Sequence, residues 1–205
     1  MIKKRVAVLI SGRGSNMMAL VEAAQAPDYP AEIALVVSNA PDAAGLGGAR
    51  RAGIETAIVD HRAFGADRED FERALDAKLH AHRIELVCLA GFMRLLTPWF
   101  VTQWSGRLLN IHPSLLPLFK GLDTHRRAIE AGAERHGATV HFVVPEMDSG
   151  PIIVQDAVPI IAGDTEETLA ARVLEVEHRI YPQALRLVAE GRVTLASAGH
   201  DALSR

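Results

Sequence analysis

The sequence predicts an α/β fold, a doubly wound and mainly parallel sheet with an antiparallel extension at its C-terminal end. Two observations favour this class. Short apolar runs alternate with helical patterns through residues 5–131, as successive β-loop-α units do. After that, two apolar runs follow each other across a tight turn with no helix between them, which is typical of antiparallel strands.

Several segments before residue 112 are apolar and of strand length. These predicted strands cover residues 5–10, 31–38, 55–59, 86–90 and 108–111. The clearest helix runs from 67 to 82, because Phe71, Leu75 and Leu79 recur every four residues with charges between them. Helices are also predicted at 16–26 and 124–131, and a Gly-, Pro- and Asp-rich loop at 39–48 leads into another.

The C-terminal part predicts strands at 138–144 and 152–158, joined by the turn PEMDSGP. A long last helix follows, which Asp164 and Glu167 are expected to open as a capping box and which Pro182 is expected to kink or end. Its apolar stripe consists of Leu169, Val173, Val176 and Ile180. No repeat or linker separates parts of the chain, so a single domain over residues 1–205 is expected.

Composition limits the classes of partner. The formal net charge of −3 gives no basic surplus, so nucleic acid is not an expected partner. The N-terminal apolar run is too short to cross a membrane, so no membrane partner is expected either. The single cysteine, Cys88, lies in an apolar run without a partner for an intrachain disulfide, which fits a reducing, cytoplasmic environment.

The segment between the first strand and the first helix reads Ser-Gly-Arg-Gly-Ser-Asn, at residues 11–16. Glycines let the backbone turn tightly, and free N–H groups at a helix start favour a phosphate. Met17 stands where a dinucleotide-binding motif needs its third glycine, and no Gly-Lys-Ser/Thr follows as in a P-loop. A phosphate site and a plain turn capped by Ser15 or Asn16 both remain open.

Polar side chains follow the late strands. Asn110 and His112 are two residues apart and therefore share a face at a strand's carboxyl end, where open α/β sheets bind ligands. Asp148 lies in the turn after the sixth strand, where it could reach His112. Thr139 and His141 share a face of the sixth strand, which is either exposed or part of a site. Each residue alone also fits a cap, a turn former or a sheet surface.

Six segments in this order and spacing closely resemble the phosphoribosylglycinamide formyltransferase (glycinamide ribonucleotide transformylase) group of the folate-dependent formyltransferases. They are SGRGSN, LAGFMRLLTPWFV, RLLNIHPSLLP, HGATVHFV, DSGPII and EHRIYP. The resemblance covers residues 6–191 and implies a Rossmann-like formyltransferase fold. It also implies transfer of the formyl group of 10-formyltetrahydrofolate to the amine of glycinamide ribonucleotide, in purine biosynthesis and with no metal. It leaves a monomer and a homodimer open.

The resemblance also implies roles for individual residues. It implies a phosphate-binding half at about residues 1–105 and a catalytic and folate-binding half at about 106–205. The implied catalytic residues are Asn110, His112 and Asp148. The implied substrate-binding residues are Gly14, Ser15 and Asn16 at the phosphate and Glu177 near the ribose. The implied folate-binding residues are Arg68, Met93, Arg94 and Leu96, with Asn110 and Asp148, while Thr139 and His141 are further candidates.

Formyl transfer explains these residue types. Attack of a neutral amine on the formyl carbon gives a tetrahedral intermediate with a negative oxygen, which Asn110 and a protonated His112 could stabilise. Asp148 would support the imidazolium and assist proton transfer. Two alternatives remain. One is a relative that serves another acceptor, such as methionyl-tRNA, an amino sugar or water, and the other is a non-catalytic folate or nucleotide sensor.

Overall fold

A computed structural model describes residues 2–198, which form one seven-stranded mixed sheet with helices on both faces. The strands are β1 (Lys4–Ile10), β2 (Ala31–Ser38), β3 (Thr56–Ile58), β4 (Leu86–Leu89), β5 (Leu108–His112), β6 (Arg135–Phe142) and β7 (Ile152–Pro159). The helices are α1 (Ser15–Ala24), α2 (Ala44–Arg51), α3 (Arg68–Ala81), α4 (Pro98–Gln103), α5 (Thr124–Glu130), α6 (Glu166–Ala189) and α7 (Leu195–Ala198), with a short 3-10 helix at His61–Phe64.

The strand order is β3-β2-β1-β4-β5-β6-β7, in which β1 to β5 run parallel, β6 pairs antiparallel with β5, and β7 pairs antiparallel with β6. The predicted fold class is therefore confirmed. From β1 the chain first builds outward through β2 and β3 and then returns to place β4 on the other side of β1. This reversal makes the carboxyl ends of β1 and β4 the switch point, where doubly wound sheets bind ligands.

The core occupies both faces of the sheet, as a parallel sheet covered by helices requires. Along β1, Val6 and Val8 belong to the apolar cluster under α1 and α6, while Ala7 and Leu9 belong to the cluster under α3 and α4. All four side chains are fully buried. This alternation holds both helical layers on one strand, so the loops at its carboxyl end start from a rigid base.

Helix α6 differs from its prediction at two points. Its N-cap is Thr165, whose side chain accepts from the Thr168 amide and whose own amide donates to the Thr168 hydroxyl, so the capping box expected from Asp164 and Glu167 is wrong. Asp164 instead forms an ion pair with Arg172 at 2.9 Å. The helix also continues through Pro182 to Ala189, because the surrounding turns pack fully into the core and outweigh one missing N–H donor.

Other boundaries move by a few residues. Strand β5 includes His112, and β6 begins at Arg135, three residues earlier than residue 138. Helix α4 has no counterpart among the predicted elements, although Pro98 at its first turn is a typical start signal. Within residues 2–198, no helix is both long and apolar enough to cross a bilayer. The sequence predicts a disordered tail over residues 196–205; residues 196–198 instead belong to α7, and residues 199–205 lie outside the described residues.

Candidate active site

The start of helix α1 presents free backbone donors. Gly14 precedes the helix with φ of 74°, and no side chain caps the first turn. A Cβ at Gly14 would lie 2.9 Å from the Met17 Cε atom and 3.0 Å from the Gly45 Cα atom, so only glycine fits here. The first turn contains no acidic residue. Uncapped N–H groups and the helix dipole together attract an anion at Ser15 and Asn16.

Glu177 contacts the start of α1 from helix α6. The Asn16 Nδ2 atom donates a hydrogen bond of 2.6 Å to Glu177 Oε2, although the two residues are far apart in sequence. Glu177 is only 7% exposed, and this burial raises the pKa of its carboxyl group. One turn later, the Tyr181 hydroxyl lies 3.0 Å from the Leu89 carbonyl oxygen and 3.3 Å from that of Leu109, which fixes α6 over β4 and β5.

A cleft of about 320 Å³ opens at the switch point between β1 and β4. Its walls are the phosphate-type loop at residues 11–16 on one side and Ala90, Gly91 and Met93 on the other. The structure therefore brings Gly14, Ser15 and Asn16 together with Met93 in one concave site, as doubly wound sheets do.

The second cluster lies at the carboxyl end of β5. Cross-strand pairing places Asn110 opposite His141 and His112 opposite Thr139. The turn after β6 brings Asp148 back, so that its Oδ2 atom lies 3.5 Å from His112 Nδ1. Both side chains are nearly buried, at 11% and 7% exposure. Asp148 has φ of 48°, a left-handed conformation that Asp tolerates better than most residues.

The hydrogen bonds of His141 define its tautomer. Its Nδ1 atom lies 2.9 Å from the Phe142 carbonyl oxygen, which can only accept, so Nδ1 carries the proton. Burial lowers the pKa of His141 and keeps the ring neutral. Its Nε2 atom then accepts from Asn110 Nδ2 at 3.3 Å. The carboxamide of Asn110 is therefore held with its nitrogen toward His141.

The loop after β5 covers the cluster. The His112 Nε2–H group donates to the Phe119 carbonyl oxygen at 3.0 Å, and the Gly121 amide donates to Asp148 Oδ2 at 2.9 Å. The Lys120 ammonium group donates to the Ser149 hydroxyl at 2.6 Å. Both nitrogens of the His112 ring thus face acceptors, an arrangement that suits an imidazolium.

The hydroxyl of Thr139 bonds to the loop after β5 and to Gln155 of β7. The hydroxyl donates to the Ser114 carbonyl oxygen at 2.6 Å and accepts from the Leu116 amide and the Gln155 side chain. The residue is fully buried, so the expectation of an exposed sheet face is wrong. These contacts anchor the loop that follows His112.

The residues expected at folate lie around α3 and the segment 91–96. The Arg94 guanidinium carbon stacks 5.4 Å from the centre of the Phe71 ring. Arg68 is exposed at the start of α3, and neither arginine forms an ion pair within residues 2–198. The backbone groups of Arg94 and Leu96 form no hydrogen bond in that described part. Free backbone donors and acceptors beside two unpaired cations suit a flat heterocycle that bears a carboxylate tail.

Two histidines near the cluster, the buried His136 and the partly buried His125, were given no role by the sequence. His136 is fully buried on β6, although histidine is more often found at surfaces and in loops. Its ring packs edge-on against His125, with centroids 5.1 Å apart, and against Phe119 at 5.9 Å. Burial lowers the pKa of His136 to about 4. Its position within an apolar strand was the available signal. Within residues 2–198, no group of His, Cys, Asp and Glu is placed to hold a metal ion.

A doubly wound sheet with an uncapped helix start at its switch point, and with Asn, His and Asp side chains at adjacent strand ends, defines a Rossmann-like α/β enzyme. The family model described as formyl transferase matches residues 4–185. The chain therefore belongs to the formyl transferase family, and its closely similar relatives place it among the phosphoribosylglycinamide formyltransferases.

This chain matches nearly the full length of some relatives and only a small part of others. The phosphoribosylglycinamide formyltransferase of Escherichia coli is 47% identical over 93% of this chain and 89% of its own length. A crystal structure of the Brucella melitensis phosphoribosylglycinamide formyltransferase is 53% identical, with a TM-score of 0.87, and covers 91% of this chain and 96% of that chain. The trifunctional purine biosynthetic protein adenosine-3 of Gallus gallus is 53% identical over 96% of this chain, which spans only 20% of that relative. The family predicted from the sequence is thereby confirmed.

Proposed function

We propose that the protein transfers the formyl group of 10-formyltetrahydrofolate to the amine of glycinamide ribonucleotide in purine biosynthesis. The observation that carries the proposal is the cluster of Asn110, His112 and Asp148 beside a cleft with an uncapped helix start. The names of the bacterial relatives support this acceptor.

The phosphate of the acceptor would bind the N–H groups at the start of α1. Gly14 allows the tight turn that presents these N–H groups, because it adopts φ of 74° and has no Cβ to meet Gly45. Glu177 would accept hydrogen bonds from the ribose hydroxyl groups, while Asn16 holds its other oxygen. These groups together place the amine at the β4 and β5 strand ends.

The formyl donor would bind on the other side, at Met93, Arg94 and Leu96. Unpaired backbone groups there fit the edge of the pterin, and the free charges of Arg68 and Arg94 fit its acidic tail. The donor thereby brings its formyl carbon between the amine and Asn110.

Asn110 and His112 would stabilise the oxygen that becomes negative as the amine attacks the formyl carbon. The Asn110 amide is oriented by His141, and a protonated His112 supplies a charged donor once the Phe119 carbonyl oxygen moves away. Asp148 stabilises that imidazolium and accepts the proton of the attacking nitrogen, directly or through water. The proton then moves to the folate nitrogen as its bond to the formyl carbon breaks.

Separate assays with different acceptors test the proposal against the alternative that the protein formylates another acceptor. The purified protein and 10-formyltetrahydrofolate are incubated in turn with glycinamide ribonucleotide, methionyl-tRNA, an amino sugar nucleotide or water alone. We expect formylation of glycinamide ribonucleotide only. Tight binding of both substrates without transfer would instead favour the sensor alternative.

A further inference from the structure

The hydroxyl group of Ser11 joins the two loops that line the cleft. Ser11 directly follows β1 and begins the phosphate-type loop. Its hydroxyl donates to Asn39 Oδ1 at 2.6 Å and accepts from the Met93 amide at 2.8 Å. Its own amide donates to the Gly91 carbonyl oxygen at 3.1 Å. One residue therefore bonds to the segments that follow β2 and β4.

The backbone of Asn39 is held by His61. Asn39 is 5% exposed, and its backbone carbonyl oxygen accepts from the His61 ring at 2.8 Å and from the His61 amide at 3.4 Å. Because Asn39 is buried and its Oδ1 atom accepts from Ser11, it sets the direction of the Ser11 O–H group. One of the two hydroxyl lone pairs is then aimed at the Met93 amide.

The segment 91–96 is held at Phe92 and Leu96, which pack against the core, and at Arg94, which lies over the Phe71 ring, but less firmly in between. Met93 is 67% exposed and Leu95 is 62% exposed, so side-chain packing holds neither. The Met93 amide forms the hydrogen bond by which a side chain of the phosphate-type loop contacts this segment. Loss of the Ser11 hydroxyl would free the Met93 amide and loosen the neighbouring backbone, while the bond from the Ser11 amide to the Gly91 carbonyl oxygen would remain.

We infer that Ser11 is a positioning residue that couples the two substrate sites. This inference rests on the proposed function. A phosphate bound at the start of α1 orders the loop that begins at Ser11, and the Ser11–Met93 bond transmits that order to segment 91–96. Binding of the phosphorylated substrate therefore tightens binding of the folate, and the reverse holds by linkage.

Kinetics separate this role from a direct contact with substrate. In Ser11→Ala, we expect the KM for 10-formyltetrahydrofolate to rise about fivefold to tenfold, as for one lost hydrogen bond, with kcat within about twofold. Ser11→Thr keeps the hydroxyl and should restore most of the affinity. Ser38→Ala is the matched control, since among residues 2–198 the Ser38 hydroxyl bonds only within its own turn, to Ala40. A rise confined to the KM for glycinamide ribonucleotide would overturn the inference.

Binding without turnover tests the coupling itself. Calorimetry measures the affinity for tetrahydrofolate, which carries no formyl group, with and without saturating ribose 5-phosphate as the probe of the phosphate-type loop. We expect ribose 5-phosphate to tighten folate binding severalfold in the unsubstituted protein, in Ser11→Thr and in Ser38→Ala, but not in Ser11→Ala. Equal coupling in Ser11→Ala, or no coupling in the unsubstituted protein, would overturn the inference. Failure of the proposed acceptor appears separately, as absent turnover with glycinamide ribonucleotide.

Discussion

The Nδ1 atom of His112 lies 3.5 Å from the Oδ2 atom of Asp148, although the residues belong to different strand ends. Asp148 reaches this position because the turn after β6 folds back over β5 with φ of 48° at Asp148. The distance is that of an ion pair rather than a short hydrogen bond. Asp148 can therefore stabilise charge on His112 and still accept the Gly121 amide.

Substitution of Asp148 by Asn should separate turnover from binding. Asn also tolerates the left-handed backbone, so Asp148→Asn should fold. We expect kcat to fall by about 10² to 10³ with a much smaller change in both KM values, because the charge acts mainly in the transition state. Steady-state kinetics measure this. Asp123→Asn is the matched control, since Asp123 also has positive φ but pairs with Arg126 on the surface. Near-normal kcat in Asp148→Asn would contradict the role.

His141 should act through the orientation of Asn110. In His141→Ala, the Asn110 amide loses its acceptor, and we expect kcat to fall about tenfold to a hundredfold while both KM values change little. His80→Ala, on the exposed face of α3, controls for loss of an imidazole. An unchanged kcat in a folded His141→Ala protein would argue that Asn110 orients itself.

Glu177 should lower the folding stability at neutral pH, although it contributes to binding of glycinamide ribonucleotide. Burial raises its pKa, so the folded state takes up its proton more readily than the unfolded state. The charged carboxylate therefore costs stability above its unfolded pKa, and this cost disappears at low pH, where both states are protonated. We expect Glu177→Gln to raise the KM for glycinamide ribonucleotide about tenfold and to raise the Tm by roughly 2 to 4 °C at neutral pH. Calorimetric scans at several pH values measure the Tm, and a lower Tm at pH 7 would refute the account.

His136 should make the protein acid-sensitive. Its pKa of about 4 in the fold lies below the ordinary value, because the ring is buried beside His125 and near His112. The unfolded state therefore binds more protons between about pH 6.5 and pH 4, and stability falls as pH decreases through that window, by roughly 3 kcal/mol. Denaturant unfolding across the window should show this slope, and His136→Phe should remove most of it. An unchanged slope would assign the acid sensitivity to other groups.

Ser15 tests the phosphate assignment. In the structure Ser15 begins α1, and its side chain does not cap the helix. Ser15→Ala should raise the KM for glycinamide ribonucleotide about twofold to fivefold and leave the KM for the folate unchanged, since the backbone donors remain. Equal effects on both KM values would count against a phosphate at this helix start.

Periodicity allowed much of this site to be predicted. Alternation along β5 was enough to put Asn110 and His112 on one face, and the βα order was enough to put the glycine loop at the switch point. The approach of Asp148 to His112 depends on the register of β5 with β6, which spacing along the chain does not encode. The same register buries Thr139, and pairing with Val158 of β7 accompanies the burial of His136, although both residue types are common at surfaces.

Local signals were misleading where packing outweighs them. Pro182 costs α6 one donor, but Tyr181, Ala184 and Leu185 are fully buried around it and hold the helix together. Asp164 was available as a cap, but its carboxylate pairs with Arg172, eight residues later in α6. Tertiary contacts decided both cases.

Production of tetrahydrofolate from 10-formyltetrahydrofolate, followed with and without glycinamide ribonucleotide, tests the central claim most directly. We predict rapid, acceptor-dependent production with one formylglycinamide ribonucleotide formed for each tetrahydrofolate. Production at the same rate without the acceptor, or none with it, would contradict the proposed function.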